Sequence, residues 1–86
     1  MLILTQDRET LVNLDNIVFI DKQLLNGDIR YLATDKKGQG ATLGTYKNTP
    51  EHENQIERIA EVYGAINCYV MPADERRIDN DRTFKR

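Results

Sequence analysis

The clearest pattern of apolar and polar positions lies in residues 49–64. Ile56, Ile59, Ala60 and Tyr63 recur at the spacing i, i+3, i+4 and i+7, which places them on one face of a helix. A helix of about four turns is marginal in water by itself. Its apolar stripe therefore predicts a sheet or a second helix that covers this face.

Both ends of this segment carry helix signals. Thr49 is a favourable N-cap, and Pro50 follows at the first helical position, where its missing N–H has no effect. Gly64 stands where a left-handed residue ends a helix. These signals predict one helix over about residues 50–63.

Five segments before the helix have strand character, because they are rich in branched residues or alternate between apolar and polar positions. They are residues 1–5, 10–13, 17–22, 28–34 and 41–46. A further strand-like segment, 65–71, follows the helix and ends at Pro72.

The segment 17–22 gives the strongest strand signal. Up to Ile20, apolar residues occupy consecutive positions, so they face both sides of the strand. This is typical of a strand covered on both faces, and we therefore expect it to be central. The pair Asn26-Gly27 favours a type I′ hairpin turn. Gly44, inside the last strand before the helix, predicts a bulge or a close approach of other atoms to the backbone.

Strands followed by one helix predict an α+β fold. We expect an antiparallel sheet of four to five strands from residues 1–46, with the amphipathic helix packed on one face and a short C-terminal strand after it. Residues 1–72 form a single domain, and residues 73–86 form a charged tail. The predicted core consists of Leu2, Leu4, Leu11, Ile17, Phe19, Ile29, Tyr31, Leu43, Ile56, Ile59, Ala60 and Tyr63.

The charge of the chain is nearly balanced. Its 86 residues include 12 basic and 14 acidic side chains, a net charge of −2, which gives no overall attraction to nucleic acid or to anionic membranes. The lone Cys68 suits a reducing compartment. No apolar segment is long enough for a signal peptide or a membrane span. We therefore expect a cytoplasmic protein without a membrane partner.

The tail differs in composition from the domain. Nine of its fourteen residues are charged, a composition that predicts a free tail. The alternative hypothesis is that Ile78 and Phe84 dock on the domain or on a neighbouring chain. Together with Tyr69 and Met71 of the last strand, they are the candidate interface residues. An alternative site is a set of phosphate contacts in the tail, formed by Arg76, Arg77, Arg82, Lys85 and Arg86.

Four short motifs occur in a fixed order across most of residues 1–72. They are Leu-Thr-Gln-Asp at 4–7, Val-Asn-Leu-Asp-Asn at 12–16, Leu-Gly-Thr-Tyr at 43–46 and Val-Met-Pro at 70–72. Through them the chain resembles a group of small uncharacterised proteins encoded in phages and integrated elements of Gram-positive bacteria. The resemblance implies a β-rich domain with one helix, from a mobile element. It implies no activity, cofactor or catalytic residue.

Candidate catalytic residues are few. His52 lies between Glu51 and Glu53, and neighbouring positions on a helix point in different directions, so the three do not converge on a metal or a proton-transfer site. Cys68 in an alternating strand is more typical of a small buried side chain than of a nucleophile. Serine is absent, which excludes a serine nucleophile. We expect no enzyme activity, no cofactor and no metal.

Two other features have a structural and a functional interpretation. The stretch 38–40, Gly-Gln-Gly after two lysines, lacks the Gly-Lys-Ser/Thr ending of a phosphate-binding loop, which favours a hairpin turn. Exposed aromatic rings could stack on bases, but the neighbouring acidic residues favour packing in a core or an interface. The aromatic residues concerned are Phe19, Tyr31, Tyr46, Tyr63 and Tyr69.

We therefore expect a non-enzymatic protein-interaction module of a mobile element. Its expected partners are a second copy of itself, as a dimer or higher oligomer, and a protein that the sequence does not identify. The alternative function is that of a nucleic-acid-associated accessory protein that uses the basic C-terminal tail.

Overall fold

The chain folds as an α+β domain with one α-helix and two three-stranded sheets, in a computed structural model that describes residues 1–73. A 3-10 helix at Leu14–Asn16 separates the first two strands from the rest. The regular elements are β1 (Leu2–Leu4), β2 (Leu11–Asn13), β3 (Ile17–Leu25), β4 (Asp28–Asp35), β5 (Gly40–Lys47), α1 (Gln55–Val62) and β6 (Cys68–Val70).

The strands form two sheets where the sequence predicted one. In the first sheet β1 lies between β2, which is antiparallel to it, and β6, which is parallel. In the second, β3, β4 and β5 form an antiparallel meander. The chain changes direction at the 3-10 helix, where the Asn13 side chain accepts a hydrogen bond from the Asp15 N–H at 3.0 Å.

Gln6 joins the two sheets. Its backbone N–H donates to the Leu43 carbonyl at 2.8 Å. Its side-chain amide donates to the Thr45 carbonyl and accepts from the Thr45 N–H, both at 2.8 Å. A residue at the end of β1 thus satisfies backbone groups on the outer edge of β5.

The prediction that 17–22 forms a central strand was wrong. β4 is central in the meander, and β3 is an edge strand that pairs only with β4 among residues 1–73. Val18 is 60% exposed and Phe19 is 48% exposed. The reason is connectivity: both connections of the meander are short hairpin turns, so each strand pairs with its neighbour in sequence and the first strand stays at the edge.

The turn between β3 and β4 has the predicted type I′ geometry. Asn26 has φ 43° and Gly27 has φ 85°, and both central residues of a type I′ turn require positive φ. The turn fixes the register of the hairpin, in which Leu25 lies opposite Asp28. The prediction from the Asn-Gly pair is confirmed.

The helix ends as predicted but begins later. Gly64 has φ 84°, the left-handed conformation expected after a helix. Thr49 is not the N-cap: its carbonyl accepts from the His52 N–H at 3.0 Å in a turn, and α1 begins only at Gln55. The Tyr31 hydroxyl accepts from the Gln55 N–H at 3.3 Å, so a tyrosine of the sheet satisfies a first-turn donor.

The predicted core is partly confirmed. Ile29, Tyr31, Leu43 and Ile59 are buried as expected. The exposed residues among those predicted are Leu2, Leu11, Phe19, Ala60 and Tyr63. Buried residues outside the predicted core list are Ile3, Thr5, Val12, Ala33, Tyr46, Gln55 and Met71. In β1 the sequence predicted that Leu2 and Leu4 face the core, whereas Ile3 does. A short run of apolar residues does not reveal which side of the strand faces the core.

Gly44 stands both at a bulge and at a close contact, as the sequence predicted. Tyr31 lies opposite Gly44 and Leu32 lies opposite Thr42, so Leu43 is an extra residue in β5. A Cβ atom at Gly44 would lie 2.7 Å from the Tyr46 hydroxyl oxygen and 2.8 Å from Cε2 of the same ring. The Tyr46 ring therefore occupies the space above the glycine.

We expect Gly44→Ala to destabilise the fold by about 1–3 kcal/mol, because the buried Tyr46 ring would have to move. Chemical denaturation followed by circular dichroism measures this change. Gly40→Ala is the matched control on the same strand, since its Cβ would meet only the Leu32 side chain, at 3.3 Å. Equal losses of stability in the two variants would contradict the assigned contact.

Candidate functional site

An apolar groove lies between α1 and the first half of β3, and we call it the α1–β3 groove. Its volume is about 350 Å³. Carbon-rich side chains from the 3-10 helix, β3, α1 and the residue after it line the groove. They are Leu14, Ile17, Val18, Phe19, Ile20, Ile56, Ile59, Ala60 and Tyr63.

The groove exists because the sheet covers only part of the helical stripe. Ile59 is 5% exposed and belongs to the core, and Ile56 packs against the core as a partly buried residue. Ala60 is exposed and Tyr63 is 62% exposed on the same stripe. Strands from the first half of the chain therefore cover one side of the apolar stripe of α1, as expected, and leave the other side exposed.

The edge of β3 adjoins this groove. Among residues 1–73 this nine-residue strand has a partner on one side only. An edge strand presents unpaired N–H and C=O groups that can pair with another strand. Exposed apolar side chains next to such an edge are typical of protein contact surfaces.

A network of polar groups holds the start of α1 beside the groove. The Tyr31 hydroxyl donates to the His52 carbonyl at 2.6 Å and accepts from the Gln55 N–H. The Tyr69 hydroxyl donates to the Gln55 side-chain oxygen at 2.6 Å. Gln55 is only 1% exposed, so these bonds satisfy polar groups that water does not reach. The helix is thereby fixed to β4 and β6.

Burial raises the pKa of two tyrosines in this network. For Tyr31 the main cause is loss of solvent, with a smaller contribution from Glu53, while its bond to Gln55 acts in the opposite direction. For Tyr69 the main cause is again loss of solvent, which the nearby Arg58 partly offsets. Both phenols therefore keep their proton to a higher pH than an exposed tyrosine does.

The aromatic side chains do not form one exposed platform. Tyr31 and Tyr46 are fully buried, in an edge-to-face contact with ring centres 6.2 Å apart. The Tyr46 hydroxyl donates to the Pro72 carbonyl at 2.6 Å. The expectation of packing is confirmed for these two rings, whereas Phe19 and Tyr63 are exposed at the groove.

His52 and Cys68 occupy separate surroundings. The His52 ring stacks on Tyr46 with centres 4.9 Å apart, and its Nδ1 lies 3.2 Å from the Thr49 hydroxyl. Cys68 is exposed on β6, so the expectation that it is buried was wrong. Within the part of the chain that the structure describes, no three His, Cys, Asp or Glu side chains are grouped to hold a metal ion.

The Gly-Gln-Gly stretch is a hairpin turn between β4 and β5, as predicted. The Asp35 carboxylate accepts from the N–H groups of Lys37 and Gln39, both at 2.9 Å. Gly38 has φ 86°, which a turn of this kind requires of one residue. A depression beside the turn is lined by Asn16, Asp35, Lys36, Lys37 and Gln39.

The structure describes two of the four candidate interface residues, Tyr69 and Met71. Met71 is fully buried and belongs to the core. Tyr69 is partly buried and bonded to Gln55. Ile78 and Phe84 lie outside the described residues, as do the candidate phosphate contacts Arg76, Arg77, Arg82, Lys85 and Arg86.

The sequence indicated the groove residues without identifying the groove. The sequence predicts Phe19, Ala60 and Tyr63 as core residues and Val18 as part of a central strand. The signal in the sequence for this groove was the segment 17–22, whose apolar residues face both sides of the strand. Where one helix covers the sheets, as in residues 1–73, such a strand can have an uncovered apolar face as readily as a buried one.

Comparison of the chain with protein-family models, curated proteins and solved structures gave no match. The resemblance to proteins of mobile elements stays a prediction from short motifs. In the described part of the chain, no helix has the length and apolar content needed to cross a membrane.

Stability should fall at alkaline pH through Tyr69. Burial raises its pKa above 10.0, so the folded chain holds the phenol proton more tightly than the unfolded chain does. This contribution is fully present below pH about 10 and is lost as the pH rises through the higher pKa of the folded state.

Tyr69→Phe leaves the Gln55 oxygen without its donor and should cost about 1–3 kcal/mol at neutral pH. Denaturant unfolding at several pH values should show this difference narrowing above pH about 10. Tyr63→Phe, which changes an exposed tyrosine, is the control and should have little effect. A Tyr69→Phe difference that stays constant with pH would contradict the role of the phenol proton.

Proposed function

We propose that this chain is a non-enzymatic protein-interaction module that associates with a second copy of itself through the α1–β3 groove and the adjoining edge of β3. The observation that carries the proposal is the exposure of large apolar side chains around this groove: Val18 at 60%, Phe19 at 48% and Tyr63 at 62%. Such a cluster is costly to leave in water and favourable to cover.

The expected association is reversible. Complete burial of a large apolar side chain contributes about 1.5–3 kcal/mol. Association must first offset a cost of about 4 kcal/mol or more for lost translational and rotational freedom. The groove side chains are already about half covered within the chain, so burying the rest gives only a modest net free energy of association. The dimer population should therefore depend on concentration.

The rigidity of the groove supports binding. Tyr31, Gln55 and Tyr69 fix the start of α1 before any partner arrives. A preformed surface loses less conformational freedom on association than a mobile one does. This favours a direct contact role for the groove.

The proposed cellular setting comes from the sequence. The order of the four motifs supports a module encoded by a phage or an integrated element. The lone Cys68 supports a cytoplasmic setting, because it suits a reducing compartment.

Ala60→Arg tests the proposal by placing a long charged side chain in the groove. Sedimentation velocity over a range of concentrations should show a dimer for the native chain and a 10.0 kDa monomer for this variant. Glu61→Gln is the matched control, because it changes the net charge by the same amount at an exposed position next to Ala60 on α1. It should associate like the native chain.

A native chain that stays monomeric up to high-micromolar concentration would overturn the proposal. Equal association by Ala60→Arg and by the native chain would exclude the groove as the contact surface. Circular dichroism of each variant shows that the fold is retained.

A further inference from the structure

The hairpin between β3 and β4 determines which backbone groups of β3 have no strand partner among residues 1–73. The two-residue turn makes Leu25 and Asp28 the closing pair, and in such a hairpin this pair is hydrogen-bonded. Bonded and non-bonded pairs then alternate along the strands. The N–H and C=O groups of Ile20, Lys22 and Leu24 therefore point away from β4, toward the free edge.

The apolar side chains of this edge are arranged symmetrically about Lys22. Ile20 and Leu24, two residues on either side, share the face on which β4 carries its buried residues. Phe19 and Leu25, three residues on either side, share the opposite face. Leu24 is 66% exposed and Leu25 is 41% exposed. Both faces thus show the same apolar spacing when the strand is read in either direction.

We propose that two copies of the chain pair antiparallel along β3, with a two-fold axis at Lys22, and form one continuous six-stranded sheet. The proposal rests on the self-association proposed above and specifies its geometry. A two-fold axis perpendicular to the sheet places each β3 residue opposite one of the same parity. Ile20 then faces Leu24 of the second copy, and Phe19 faces Leu25 of the second copy.

The two neighbouring symmetric registers are less favourable. An axis at Gln23 would set Asp21 against Leu25 and Lys22 against Leu24 of the second copy. An axis at Asp21 would place the two Asp21 carboxylates opposite each other and would set Ile20 against Lys22 of the second copy. Like charges meet at the axis in the Asp21 and the Lys22 registers alike, so the difference lies in Ile20, which loses its apolar contact when it stands opposite a lysine. In the register centred on Lys22, Asp21 instead faces the neutral Gln23.

Lys22 limits the strength of this pairing. Two lysines meet at the axis, and lysine on an edge strand is a common device against uncontrolled pairing. The Lys22 ammonium donates to the Glu53 carbonyl of its own chain at 3.2 Å, which draws its charge toward the segment before α1. The arrangement favours a weak, reversible dimer over an open-ended aggregate.

The second copy would also complete the α1–β3 groove. Ile20 lines this groove, and pairing brings Leu24 of the second copy opposite Ile20 on the same face. Each groove is then bounded by residues from two chains. The partner therefore contributes a side chain that the isolated chain lacks.

Two substitutions at Lys22 separate backbone pairing from side-chain effects. Lys22→Pro removes the free N–H at the axis, leaves the β4 ladder intact, and should weaken association roughly tenfold or more, because two hydrogen bonds between copies are lost. Lys22→Thr keeps the N–H and removes the like charges, so it should strengthen association by up to about fivefold. Sedimentation equilibrium measures both, and equal association of the two variants would overturn the pairing.

Disulfide formation tests the register in a Cys68→Ser background. Lys22→Cys should cross-link readily, because its two Cα atoms would be about 5.5 Å apart. Asp21→Cys should cross-link slowly, because the two Asp21 positions are diagonal neighbours about 7–8 Å apart. Faster cross-linking of Asp21→Cys would overturn the proposed axis.

The outcomes distinguish this inference from the proposed function. One outcome is that the native chain associates and Ala60→Arg does not, while neither Lys22→Cys nor Asp21→Cys forms a cross-link. In that case the groove is the contact surface and the β3 pairing is wrong. If the native chain is monomeric at all concentrations, the proposed function fails together with the pairing.

Discussion

The hydroxyl of Tyr31 is the contact on which the arrangement of this domain depends. It lies on the central strand β4, donates to the His52 carbonyl and accepts from the Gln55 N–H. A buried hydroxyl without partners would cost several kcal/mol, so these bonds determine where the chain can place the first turn of α1. With its start fixed there, the helix covers the core through Ile59 and leaves Ala60 and Tyr63 at an open groove.

Patterns tied to one local geometry were predictable from the sequence. The Asn26-Gly27 turn, the left-handed Gly64 and the bulge at Gly44 each depend on the backbone conformation of one or two residues. The apolar stripe of the helix was predictable for the same reason, because the spacing of its residues identifies the face that must be buried. What covers it depends on residues far away in the sequence.

Features that depend on such distant contacts were not predictable. The start of α1 is set by Tyr31, 24 positions before Gln55, and not by the local signal at Thr49. The edge position of β3 follows from the order of the strands, which an apolar run does not encode. In β1, Ile3 is buried and Leu2 is 38% exposed. Which of these side chains faces the core follows from the packing of two sheets. The groove combines these effects, so its residues were visible in the sequence but its existence was not.

The account makes β3 both an edge strand and a contact surface, and concentration-dependent amide hydrogen exchange tests this most directly. We predict that the amides of Ile20, Lys22 and Leu24 exchange more slowly as the protein concentration rises. The amides of Asp21 and Gln23 already donate to β4 and should not change. Protection independent of concentration along β3, or an increase confined to β6, would contradict the account.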